Sequence, residues 1–389
     1  MLAIVGIAHY SCNSLLADGR NMTQRSSPPF RADHVGSLLR PESLTDAFKK
    51  HRDGDIGNDE LVAAQDAAIR DVIRLQENAG LQSVTDGEFR RKSYWGRFVE
   101  MVDGLEVREA LFTFRDDHGH EQAFTAPHVA EKVRRSQGIA FDEFEFIRRH
   151  TSATAKITFP SPGSMHFWRL NQAIEPGVYD RTEEFFADLA AVYRQEIAAL
   201  AALGATYIQL DDVPLAMLCD PAIRERVRET SVDPEDLIRS YVALFNDCLR
   251  DRPDSVHVAV HFCRGNYKGH FLSEGGYGAV AEALFNVLQA DSFFLEYDSS
   301  RAGDFRPLRF VPKSKIVVLG LVSSKTPELE PVDELRRRID DAAEHIDLDQ
   351  LCLSPQCGFA STIGGNPVTE DDEKAKLALI VETAAQVWH

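Results

Sequence analysis

Short apolar runs alternate along this chain with longer stretches whose apolar residues recur at helical spacing. The runs read as strands buried on both faces and the stretches as helices packed over them, which predicts a parallel α/β fold. Eight candidate strands lie at residues 33–37, 82–86, 155–160, 207–211, 256–263, 293–297, 316–322 and 351–354. Helices are expected at 182–203, 234–250 and 332–343. The second of these opens with Asp233 as a cap and Pro234 at its first position, and the third follows Pro331.

Eight strands, each followed by a helix, make a (β/α)8 TIM barrel, which carries its site at the C-terminal ends of the strands. The polar residues that close the apolar runs are therefore the candidates: Ser37, Glu88, Asp211, Asp212, His261, Cys263, Glu296 and Cys357. Residues 100–150 break the alternation with a charged and aromatic composition. They are expected to form an insertion after the second strand that packs against the barrel mouth as a lid. Residues 1–24 are expected to be a disordered N-terminal extension, and 25–389 a single barrel domain.

With 44% hydrophobic and 27% charged residues, the composition is that of an ordinary globular protein. A formal net charge of −18 repels polyanions, so nucleic acid and anionic membrane are not expected as partners. No apolar run is long enough to span a bilayer. No basic residue precedes Arg20, which argues against a secretory leader. The six cysteines show no framework spacing, and reduced thiols in a cytoplasmic enzyme are the expectation. Assembly into a homo-oligomer is left open.

Three of the runs end in metal-ligating residues: VAVHFC in His261 and Cys263, FFLEY in Glu296, LCLSPQCG in Cys357. Alternate residues of a strand share a face, so His261 and Cys263 point the same way while Phe262 points opposite. Two thiolates, an imidazole and a carboxylate suit Zn²⁺. A structural site usually closes with Cys and His alone, whereas a carboxylate is a weaker ligand that a substrate could displace. Zinc among thiolates is a poor source of hydroxide but holds a further thiol as its thiolate. The implied chemistry is alkyl transfer to a substrate sulfur.

The ordered set HVGS, TDGEFRR, YIQLDD, HFC before Gly265, LEYDSSRAGDF and PQCGF resembles the cobalamin-independent methionine synthases, specifically their C-terminal catalytic barrel. The resemblance runs from about Arg31 to the C-terminus and describes a short "core" type. It implies that His261, Cys263, Glu296 and Cys357 bind zinc. It further implies that the Val35 to Ser37 turn holds a homocysteine carboxylate, and that Glu88 and Asp211 receive its amino group. Trp168 falls where a pterin-stacking tryptophan is expected.

Two positions depart from the family. Its histidine after the seventh strand, thought to protonate the leaving group, is replaced by Lys325. Its pterin-gripping acid, six positions beyond Asp211, is Met217. Lys325 and Asp211 are the candidates for a part in the chemical step. The methyl donor stays open between methyl-folate, another methylated compound and a methyl-carrying partner protein. His166, Arg264, Asn266, Tyr267 and Arg301 are expected at the mouth. The resulting expectation is methyl transfer to a small-molecule thiol, homocysteine, giving methionine. The alternatives are alkyl transfer to, or demethylation of, another sulfur compound at the same zinc, and a non-catalytic zinc-stabilised scaffold.

Overall fold

Seven of the apolar runs lie side by side as parallel strands in a computed structural model that describes residues 25–115, 121–266 and 272–388. In chain order the strands are β1 (Ser83–Val84), β2 (Asp103–Arg115), β3 (Glu121–Arg134), β4 (Thr154–Pro160), β5 (Tyr207–Asp212), β6 (His257–Phe262), β7 (Ser292–Glu296), β8 (Ile316–Val322) and β9 (Leu351–Pro355). The curled sheet runs β1-β4-β5-β6-β7-β8-β9, while β2 and β3 pair only with each other, antiparallel. Helices such as Thr182–Ala202, Pro234–Leu249 and Val332–Ala343 link the strands, close to the expected bounds. Asp233 caps the second, accepting the N–H groups of Glu235 and Asp236. No described helix is long and apolar enough to cross a membrane. The expected N-terminal extension lies outside the described residues.

The eighth barrel position is filled by residues 31–37, though not by a regular strand. Ala32 bridges to Leu353 in parallel, and Asp33 N–H donates to the Leu353 carbonyl at 3.0 Å. Beyond that point the pairing stops. The Asp33 carboxylate accepts the N–H groups of His34 and Phe30, and Gly36 turns the chain at φ +137°. The second strand is likewise shorter than expected. The Gln76 amide bonds both the N–H and the C=O of Thr85, at 2.8 and 2.9 Å, which takes those groups out of the ladder. In both places a side chain does the work of a neighbouring strand, which apolar patterning cannot reveal.

Inward-facing residues change character up the barrel. A lower layer of Val35, Tyr207, Ala259, Phe294, Val318 and Cys352 forms its own buried apolar cluster. Two residues further along the strands come Gln209, His261, Glu296 and Ser354, all buried. The next step carries Asp211 and Cys263 to the rim. Period two thus delivers the chemistry to the C-terminal ends of the strands, where a barrel places its site.

The segment between β1 and β4 is a two-stranded arm, β2 with β3, followed by helix Phe141–His150. The arm is tied to the loop after β4: Leu111 N–H donates to the Trp168 carbonyl at 2.9 Å and Val129 N–H to the Ala173 carbonyl at 2.8 Å. Glu196 accepts the N–H groups of Ile139 and Ala140, both at 2.9 Å, anchoring the start of the helix. The insertion is therefore built into the wall of the barrel mouth.

Candidate metal and substrate site

His261, Cys263, Glu296 and Cys357 converge from the ends of β6 and β7 and the turn after β9, and all four are buried. Their ligand atoms lie within 4.8 Å of one another. Cys263 Sγ stands 3.5 Å from Cys357 Sγ; two thiolates on one tetrahedral zinc at ~2.3 Å each would be about 3.8 Å apart. Neither ring nitrogen of His261 has a hydrogen-bond partner. A buried imidazole without a partner is costly unless something else takes its lone pair. The donor set, its spacing and this orphaned ring fit a zinc ion.

The surroundings hold the ligands in place. One Glu296 carboxylate oxygen accepts the Arg264 backbone N–H at 3.1 Å, and the Glu296 N–H donates to the Tyr277 hydroxyl at 3.0 Å. The Arg264 guanidinium lies 4.5 Å above the Tyr277 ring. The Gly358 carbonyl, next to Cys357, accepts from Asn266 Nδ2 at 2.8 Å and Ser324 Oγ at 2.9 Å. Burial pushes the Glu296 carboxyl up to about 7, against the pull of Lys325. Cys357 is held well below the usual thiol range by the Cys263 S–H it accepts from and by His261. Cys263 keeps the shared proton and is pushed up.

A cavity of about 790 Å³ opens above these residues. His261, Cys263 and Cys357 form part of its wall, together with Val35, Ser37, Glu88, Trp168 and Asp211, all named from the sequence. Glu88 sits in the left-handed region at φ +62°, an unfavourable conformation for a side chain of its size. It is kept there because Asp86 Oδ1 accepts its N–H at 2.8 Å and Arg40 Nη2 donates to its carbonyl at 2.7 Å. Asp211 accepts from Gln209 Nε2 at 2.7 Å, and burial raises its carboxyl to about 7. Asp212, pointing the opposite way, accepts the Leu215 N–H at 2.7 Å and does not line the cavity.

The remaining candidates divide. Trp168 is buried with an unpartnered Nε1, its ring edge-on to Phe124 from the arm at 5.2 Å. Lys325 is buried but absent from the cavity wall; its charge acts on Glu296 and Cys357. Met217 is also buried away from the cavity. Asn266 lines the cavity; His166, bonded to the Tyr241 hydroxyl at 2.8 Å, does not, nor do Arg264 and Arg301. Tyr267 lies outside the described residues. Glu88 is held by Arg91, which the sequence offers as its ion-pair partner within TDGEFRR, and by Thr158, which the sequence reading did not single out. The polar alternation of Lys156 and Thr158 inside an otherwise apolar strand was the available signal.

Ser37 and Gly358 touch so closely that a Cβ on Gly358 would fall 1.9 Å from Ser37 Oγ and 3.1 Å from the Ser37 carbonyl. Gly358→Ala should therefore cost about 1–3 kcal/mol of stability by overpacking. Denaturant unfolding checks this, and the same variant should hold less zinc because Cys357 is displaced with its neighbour.

Comparison with known proteins agrees with this geometry. Residues 30–386 match the family model described as the cobalamin-independent synthase catalytic domain. The Uncharacterized protein YxjH of Bacillus subtilis is 39% identical over 374 residues, covering 95% of this chain and 98% of that one. The Methionine synthase of Pyrococcus abyssi is 25% identical over 329 residues, covering 84% and 85%. A crystal structure from Listeria monocytogenes, of a protein provisionally named a vitamin-B12-independent methionine synthase, superimposes with a TM-score of 0.75. It is 32% identical and covers 94% of this chain and 100% of that one. The chain belongs to the cobalamin-independent methionine synthase family, and is a methyltransferase of that type.

Proposed function

We propose that this enzyme transfers a methyl group to the thiol of homocysteine, giving methionine, with zinc held by His261, Cys263, Glu296 and Cys357. The observation that carries the reading is the partnerless His261 ring facing two thiols and a carboxylate at the base of a cavity. A zinc ion there supplies the Lewis acidity that keeps a substrate thiol deprotonated at neutral pH, where a free thiol of pKa ~8.5 is only a few per cent thiolate.

The chain's own residues do the rest. The Val35 to Ser37 turn offers hydrogen bonds to the substrate carboxylate. Glu88 and Asp211, which line the same cavity, receive the ammonium group. Glu296, absent from the cavity wall, would be the weakest of the four residues holding a zinc ion. Lys325 acts on Glu296 through its charge. The arm residue Phe124 and Trp168 give the second substrate an apolar wall that keeps water from the reacting sulfur. Met217 leaves the donor open between methyl-folate and another methylated compound.

X-ray absorption at the zinc edge, on metal-quantified protein with and without homocysteine, tests the reading. One zinc per chain should gain a sulfur neighbour on addition. A shell that never changes, or a protein that binds no zinc, would sink it.

A further inference from the structure

The helix Phe141–His150 of the insertion sends Glu143, fully buried, back into the barrel wall. Its carboxylate takes the Arg91 guanidinium in a fork, Nε to Oε1 at 3.1 Å and Nη2 to Oε2 at 2.8 Å. The far side of Arg91 donates to Thr158, Nη1 to Oγ1 at 2.8 Å and Nη2 to the carbonyl at 2.9 Å. Because Thr158 Oγ1 accepts from Arg91, its own proton points onward, to Glu88 Oε1 at 2.7 Å. Arg91 Nη1 itself stands 3.4 Å from that oxygen. Glu88 Oε1 is thus committed, while Oε2 takes no hydrogen bond from the described residues.

The charges of this buried group do not balance. Asp86, Glu88 and Glu143 supply three carboxylates against the two guanidiniums of Arg40 and Arg91, and all five residues are buried. Asp86 registers the surplus: burial, then Glu143, raise its carboxyl to about 7. Asp211 faces the same cavity and adds to the negative field. One further cation at Glu88 would settle the account, and Glu88 is the member of the group that lines the cavity.

We infer that Glu143 is a positioning residue: by fixing Arg91 and, through it, Thr158, it holds Glu88 as the receiver of a substrate ammonium group. The insertion thereby selects α-amino thiols over thiols that lack the amine. This rests on the proposed homocysteine reading and adds to it a determinant outside the cavity. A merely structural buried ion pair would support both kinds of thiol equally.

The test is titration calorimetry of the zinc-loaded full chain with homocysteine and with 4-mercaptobutanoate, which keeps thiol and carboxylate but has no amine. Wild type should prefer homocysteine. Glu143→Gln should weaken homocysteine about tenfold, the scale of losing an outer partner of a binding group, and leave 4-mercaptobutanoate unchanged. Thr158→Val, which keeps the shape and removes the hydroxyl relay, should show the same selective loss and serves if Glu143→Gln does not fold. Equal losses for both thiols, or no loss for either, overturn the inference while leaving the thiol reading intact. A wild type that binds both thiols equally also overturns it. A zinc-loaded wild type that binds neither thiol overturns the proposed function, and this inference with it.

Discussion

Cys357→Ala should lose most of the zinc affinity of the proposed site. Four-ligand zinc sites are worth about 10–16 kcal/mol, so one ligand is worth about 3 kcal/mol, and removing it should weaken zinc by roughly 10²-fold. Competition with a chelator of known affinity measures this directly. Thiol binding and methyl transfer should fall at least as far, because Cys357 also forms part of the cavity wall beside Cys263. Glu296→Gln should behave differently. A carboxylate is the weakest of the four ligands, one of its oxygens is already engaged by Arg264 N–H, and an amide oxygen preserves that bond. Zinc should then be retained within about tenfold while thiol exchange at the site changes. If both variants kept full zinc, the four residues would be a hydrogen-bonded core cluster, and the orphaned His261 ring would be left without an explanation.

The ligands were legible because each closes an apolar run, and a barrel turns the end of a run into a position at the rim. Period two placed His261 with Cys263 and set Asp212 apart from Asp211; both hold, and Asp212 turns out to accept a turn N–H instead of lining the cavity. Glu88 was visible within TDGEFRR, but its left-handed backbone was not, because that conformation depends on Asp86 and Arg40 closing around it. That the strands expected at 33–37 and 82–86 are short or irregular went unseen for a related reason: Asp33 and Gln76 satisfy backbone groups that a full strand would have paired. The β2 and β3 arm hid its strand character because an irregularity between Glu109 and Thr113 shifts the phase of its alternation, and neighbouring residues such as Val107 and Arg108 are both exposed. Lys325 was reached by position alone. It falls at the family's histidine, yet its charge bears on Glu296 and Cys357 from outside the cavity wall.

Asp211→Asn should weaken homocysteine by roughly 10²-fold, since removing one partner of a buried ion pair costs about 2–5 kcal/mol. The isosteric amide can still meet Gln209, which donates to Asp211 Oδ1 at 2.7 Å in the native protein, so the fold should stand. Zinc content, measured on the same sample, separates two roles. Asp211 pairs in register with His261 on the neighbouring strand and acts electrostatically on its ring. If its work is to receive the ammonium group, zinc stays stoichiometric and 4-mercaptobutanoate binds as before. If its work is to orient His261, zinc affinity falls and both thiols suffer alike. The cavity favours the first outcome: Asp211 and Glu88 both line it, while His261 has no hydrogen bond to Asp211 that an amide would break.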